Sequence, residues 1–246
     1  MTAPDWLTAR PVAHRGLHDR KHIIENTADA ADAAIAKGFA IECDVQLTAD
    51  AEAVVYHDFT LDRLTEGAGR LDAQTAAALA AVPSRATANR IEPLAAFLDG
   101  IAGRVPVIIE IKSRFDGNLT LLRRTVEVVR ERSAPLAVMS FDPDLVEALR
   151  ELAPSVPRGV TAEATYGDAD WGYLSRERRR DLAHFAHVAR TRPDFIAWNV
   201  ADLPNGVPTM ARHFGMPVLT WTVRSPADRE RAAAHADQMI FEDFLP

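Results

Sequence analysis

Two short charged motifs with the same spacing carry the first sign of chemistry: Glu42-Cys43-Asp44 and Glu110-Ile111-Lys112. Both interrupt apolar runs of the kind that form strands. A strand turns successive side chains to opposite faces, so residues two apart share a face. Glu42 and Asp44 therefore point one way and Cys43 the other, and Glu110 shares a face with Lys112. Charges in a protein interior are too costly to persist without partners. Taken singly, either motif reads as an internal ion pair. The recurrence of one spacing on two strands favours a bound ligand, and carboxylate donors suit hard divalent cations such as Mg²⁺ or Ca²⁺. Glu42, Asp44 and Glu110 are the candidate metal ligands.

Two histidines stand at comparable positions. His14-Arg15 ends the apolar run 11–13, and His57-Asp58 follows the run 53–56. A lone histidine at such a place is more often a satisfied structural residue. Two of them beside a metal and an anion-binding Arg15/Lys112 pair supply an acid, a base and charge neutralisation. That is equipment for phosphoryl-transfer chemistry.

These residues need a scaffold that brings several strand ends together. Short apolar runs occur at 10–13, 40–47, 105–111, 136–140, 156–160, 195–198, 217–222 and 238–241, with amphipathic stretches between most of them. Residues 27–37 and 119–132 read as helices, the first stopped by Gly38. Asp142-Pro143 and Ser225-Pro226 each combine an N-cap residue with proline in the first turn. Eight strands alternating with helices predict an α/β fold, a (β/α)₈ TIM barrel, whose active sites lie at the C-terminal ends of the strands. The Gly-rich loop of an open dinucleotide-binding sheet is absent. The long connection from His57 to Pro106, with helices around 73–80 and 94–101, reads as a small helical insertion after the second strand. A single domain spanning 1–246 is expected, and the basic stretch 176–190 is expected to be one solvated helix.

The ordered motifs His14-Arg15-Gly16, Glu25-Asn26-Thr27, Glu42-Cys43-Asp44-Val45, His57-Asp58, Leu61-Asp62-Arg63-Leu64-Thr65 and Glu110-Ile111-Lys112 resemble those of the glycerophosphodiester phosphodiesterase family. Ser140-Phe141 and Trp221-Thr222-Val223 extend the resemblance over nearly the whole chain. It implies a phosphoric diester hydrolase of lipid and glycerol metabolism that releases glycerol 3-phosphate and an alcohol. It also implies His14 and His57 as acid and base, and a divalent metal ion on Glu42, Asp44 and Glu110. Arg15, Lys112 and Trp221 would meet the substrate, with Glu25 and Asn26 lining or bracing the site. Three positions depart from the family's pattern. Asp50-Ala51 stands for a common Asp-Gly, Arg224 for an Asn, and Glu242-Asp243 for a Thr-Asp ending. Arg224 would either favour a more anionic head group or point to solvent, and the last two departures bear on substrate choice rather than on reaction type.

Composition limits the alternatives. The chain has 246 residues, near the roughly 250 typical of such a barrel. A net charge of −7 argues against a nucleic-acid binder, while a pocket may still be locally cationic toward an anionic small molecule. Cys43 is the only cysteine, so no internal disulfide forms. Residues 1–10 carry no leader pattern, and no apolar run approaches the roughly 18–20 residues of a membrane span. A cytoplasmic enzyme without membrane insertion is expected, acting on a small-molecule phosphodiester. Exposed alanine on the predicted helices is compatible with a homodimer. The competing readings are a same-fold enzyme acting on a lysophospholipid or another phosphodiester head group, for which residues 171–174 are the candidate apolar rim although they read first as core or cover packing, and a non-catalytic phosphodiester-binding barrel.

Overall fold

The structure, a computed structural model, describes residues 3–19 and 21–246. A short strand β1 (Val12–Ala13) leads to helix α1 (Ala28–Ala36) and the long strand β2 (Ala40–Leu47). Strand β3 (Ala53–Val55) and helices α2 (Ala76–Ala81) and α3 (Leu94–Ile101) precede β4 (Val107–Ile111). The chain continues through α4 (Thr120–Arg130), β5 (Leu136–Ser140), α5 (Pro143–Leu152), β6 (Arg158–Ala162), α6 (Asp168–Trp171), α7 (Arg176–Ala183) and α8 (Val188–Thr191). It ends with β7 (Phe195–Asn199), α9 (Gly206–His213), β8 (Val218–Val223), α10 (Pro226–His235) and β9 (Gln238–Phe241).

The strands follow the order β1-β9-β8-β7-β6-β5-β4-β2-β3, and β1 also pairs with β2. With β3 set aside, eight strands succeed one another in chain order, which is the connectivity of a (β/α)₈ barrel. Among the described residues, no helix is long and apolar enough to cross a membrane.

Two compact units make up the chain. One holds Val12–Lys112 and Asn118–Ala137; the other holds Ser113–Gly117, Val138–Pro246 and the N-terminal residues up to Pro11. In the first, β2 pairs in parallel with β1 and β4, and β3 runs antiparallel along its second half. Every β2 residue but Leu47 is buried, as expected of a strand covered on both faces. Thr27 caps α1 by accepting from the Ala30 N–H, and Gly38, at φ +73°, takes the left-handed turn that ends it.

In the second unit β6, β7, β8 and β9 are parallel neighbours. Their core includes Val160, Ile196, Trp198 and Val218. Asp142 and Ser225 cap α5 and α10 as their sequences predict.

Two expectations need correction. Helix α3 is not part of the insertion: it contacts α1 and α4 and is the crossover that parallel strands β2 and β4 require. The insertion proper carries β3, a 3-10 turn at Leu71–Ala73 and α2. The stretch 176–190 is not one helix. It breaks between α7 and α8, where Phe185 takes φ +55° and turns its ring into the core with Val160 and Trp198.

Candidate active site

Strand alternation does what the sequence reading requires of it. In the β2–β4 ladder Asp44 lies opposite Glu110. Glu42, Asp44 and Glu110 are buried and each offer an oxygen, all within 4.8 Å of one another. Such close like charges need compensation. Lys112 supplies part of it, with Nζ 2.7 Å from Asp44 Oδ1 and also bonded to Glu110. Arg15 Nε lies 3.2 Å from Asp44 Oδ2.

The first motif forms a tight turn directly after β1. Arg15 and Gly16 both have positive φ, +56° and +78°. A side chain on Gly16 would bring its Cβ to 2.7 Å from Ala30 Cβ, so the turn can press on α1 only with glycine there. The turn aims the Arg15 N–H at Glu42 Oε2, at 3.0 Å, and leaves His14 Nε2 3.9 Å from the same oxygen.

Glu25 and Asn26 brace this turn. The Asn26 N–H donates to the Arg15 carbonyl, and its side chain bonds to Asp44. Glu25 accepts from Arg15 Nη1 at 2.7 Å and from two nitrogens of Arg63. His57 follows β3, with Nδ1 2.7 Å from Asp58 Oδ1. Gln46, two residues beyond Asp44 on the same face of β2, donates to the His57 carbonyl at 2.8 Å. The sequence alone assigns no role to Gln46, Asp58 or Arg63. The period that selects Glu42 and Asp44 also selects Gln46, but its neutral side chain raises no alarm.

Burial and charge act in opposite directions here. Burial raises the Glu42 carboxyl, and the nearby Asp44 and Glu110 charges raise it further, well above the usual range. Burial opposes ionisation of Asp44 too, but Lys112, then His57, Arg15 and His14 hold it well below that range. Glu25 is likewise desolvated, and its Arg63 and Arg15 partners bring it down to about 2. Five carboxylates (Glu25, Glu42, Asp44, Asp58, Glu110) thus face three permanent cations, Arg15, Arg63 and Lys112. The carboxylate-only donor set and the repulsion felt by Glu42 fit a hard divalent cation held by Glu42, Asp44 and Glu110.

Trp221 belongs to the other unit, on β8. Its Nε1 donates to the Ala197 carbonyl at 2.9 Å, and its ring meets Phe141 edge-on at 5.4 Å. Trp171 packs against Phe115, Phe141, Tyr166 and Tyr173, and Leu174 is buried beside Tyr166 and Leu182. The stretch 171–174 is therefore packed cover rather than a free apolar rim, with Gly172 and Tyr173 exposed. Glu163, just after β6, accepts from Trp171 Nε1 and Asn199 Nδ2.

Comparison with known proteins gives one consistent result. Residues 14–244 match the Glycerophosphoryl diester phosphodiesterase family. YhdW of Bacillus subtilis is 30% identical over 245 residues, covering 95% of this chain and 93% of that protein. A glycerophosphodiester phosphodiesterase of the same organism is 24% identical, covering 99% of this chain and 86% of its own length. Among solved structures, a phosphodiesterase from Oleispira antarctica in complex with the product sn-glycerol-3-phosphate superposes with a TM-score of 0.78 at 20% identity, covering 94% of this chain and 92% of the other. The fold is shared at that distance.

Proposed function

Since the chain belongs to the glycerophosphoryl diester phosphodiesterase family, we propose that it hydrolyses glycerophosphodiesters to glycerol 3-phosphate and an alcohol by metal-assisted acid–base catalysis. One observation carries the reading: three buried carboxylates converge within 4.8 Å, with His14, His57, Arg15 and Lys112 around them. The Oleispira antarctica relative, whose complex holds sn-glycerol-3-phosphate, supports the choice of product.

Glu42, Asp44 and Glu110 would hold Mg²⁺ or Ca²⁺. Bound there, the ion supplies charge neutralisation and Lewis-acid polarisation at a phosphoryl oxygen. Arg15 and Lys112 add fixed positive charge for the phosphodiester anion. Each is oriented by a carboxylate, Arg15 by Glu25 and Lys112 by Asp44, so little reorganisation accompanies charge development in the transition state.

His57 and His14 act as the proton-transfer pair. Asp58, as the acceptor at Nδ1, favours the tautomer with its proton on Nδ1, which leaves the Nε2 lone pair to act on the substrate. One histidine takes the proton of the attacking hydroxyl or water, and the other gives a proton to the departing alcohol oxygen. The phosphorus–oxygen bond to the head group breaks as the bond to the nucleophile forms. Deacylated phospholipids are a source of such diesters, which supports a place in lipid and glycerol metabolism as part of the proposal.

The test is a panel of glycerophosphodiesters and lysophospholipids with Mg²⁺, Ca²⁺ or Mn²⁺, read by release of glycerol 3-phosphate. Activity on the deacylated diesters, lost with chelator and lowered about 100-fold or more in His14→Ala and His57→Ala, is expected. Cleavage of lysophospholipids alone would overturn the substrate, and wild-type rates in both variants would overturn the mechanism.

A further inference from the structure

We propose that Arg63 is a positioning residue that ties the proton-transfer group His57 to the phosphate-binding group Arg15. The inference rests on the roles proposed above for those two residues. Its observation is a single guanidinium that grips two carboxylates. Nε and Nη2 donate to Asp58 Oδ2 and Oδ1 at 2.6 and 3.0 Å. Nη1 and Nη2 donate to Glu25 Oε2 and Oε1 at 3.0 and 2.7 Å. Paired donors from a rigid plane fix orientation as well as distance, a geometry that an ammonium does not reproduce.

Each gripped carboxylate has a second partner. Asp58 Oδ1 meets His57 Nδ1 at 2.7 Å, and Glu25 Oε1 accepts from Arg15 Nη1 at 2.7 Å. The connected series is therefore His57, Asp58, Arg63, Glu25, Arg15, Asp44. Rotation of the imidazole and displacement of the Arg15 fork are resisted by one brace. Arg63 acts through Asp58 and Glu25 rather than on the reacting atoms.

The insertion after β2 carries this brace. Leu61 is buried with Tyr56, Leu71, Leu79 and Ile91. Its N–H donates to the Gly69 carbonyl, and Thr65 Oγ1 donates to the Leu61 carbonyl at 2.8 Å. Arg85 Nε donates to the Asp62 carbonyl at 3.2 Å. Residues flanking Arg63 are thus fastened on both sides, and the insertion acquires a role: it delivers one guanidinium to the site.

The test compares wild type with Arg63→Ala, Arg63→Lys and Arg63→Gln. Readouts are kcat and KM on the diester the wild type cleaves, divalent-ion affinity by calorimetry, thermal stability, and nitrogen-resolved NMR of the His57 ring. Arg63→Ala should lower kcat about 100-fold and raise KM, with metal affinity held. Added guanidinium should restore part of the rate. The Nδ1 proton signal of His57 should be lost, and Arg63→Lys should recover less than tenfold. Wild-type kcat/KM in Arg63→Ala would overturn the proposal. So would a loss that tracks melting temperature, is not rescued by guanidinium and leaves the His57 signal unchanged. Should Arg63→Ala not fold, Arg63→Gln carries the same comparison. A wild type inactive on every diester would sink the proposed function, while the His57 signal in the variants would still decide the role of Arg63.

Discussion

Asn26 and Asp44 hold each other through two reciprocal hydrogen bonds: Asn26 Nδ2 donates to Asp44 Oδ2 at 2.9 Å, and the Asp44 N–H donates to Asn26 Oδ1 at 3.1 Å. One amide thus fixes both the backbone and the carboxylate of a candidate metal ligand. It does so from a left-handed backbone, φ +58°, which Asn tolerates better than most residues.

Asn26→Asp replaces the donor by a second carboxylate and sets like charges side by side. Partners that orient a metal ligand are typically worth 10–100-fold in affinity. Divalent-ion binding by calorimetry should weaken by roughly that factor, with kcat falling in parallel at fixed metal concentration. Unaltered affinity would show that Asp44 needs no such orientation.

Two left-handed positions should respond to opposite substitutions with opposite signs. Gly16→Ala forces a methyl onto the Ala30 side chain and backbone, at 2.7 and 2.8 Å. A loss of about 1–3 kcal/mol in chemical denaturation, and reduced activity as the His14-Arg15 turn shifts, are expected. Ala51, where the family pattern has Gly, sits at φ +62°. Ala51→Gly should gain about 0.5–1 kcal/mol, since relief of the left-handed strain exceeds the added chain entropy.

Acidification should destabilise the fold in two separable windows. His187 is buried, neither ring nitrogen has a hydrogen-bond partner, and desolvation followed by Arg190 and Arg178 lowers its pKa from 6.5 to about 4. The unfolded chain then binds the extra proton first, so stability is full above pH 6.5 and falls as pH drops toward 4. Glu25, lowered from 4.5 to about 2, adds a second loss between those values. Each shift corresponds to on the order of 3 kcal/mol at most. Melting curves against pH should flatten in the upper window for His187→Leu and in the lower one for Glu25→Gln.

Arg224 and Glu242, two departures from the family's pattern, are partners. Nε donates to Oε1 at 2.6 Å, with the carboxylate buried and the guanidinium half exposed. A double-mutant cycle on Arg224→Asn and Glu242→Thr should give a coupling of about 1 kcal/mol, solvent screening holding it below that of a fully buried pair. Head-group preference should stay unchanged in Arg224→Asn. A shift toward less anionic diesters would instead make Arg224 a substrate contact.

Legibility in the sequence followed the range of the forces involved. Glu42, Asp44 and Glu110 could be grouped because a two-residue period is a local property and strand pairing carries it into space. The caps at Thr27, Asp142 and Ser225 are equally local. Arg63 could be quoted as part of a motif without a role, because its second partner, Glu25, lies 38 residues away. The break in 176–190 is not legible for a related reason: the local composition favours helix, and the packing of Phe185 overrides it. Helices α2 and α3 are neighbours in sequence and look alike there, although only α3 supplies the crossover.

Cys43 turns the central strand into its own stopwatch. The thiol is fully buried between Glu42 and Asp44 in β2, and burial followed by those charges keeps it protonated. A thiol reagent can modify it only when the strand opens, and no second cysteine contributes signal. The modification rate therefore measures how often the strand bearing two of the three candidate ligands lets go. A divalent ion clasping those carboxylates should slow that clock in proportion to its occupancy.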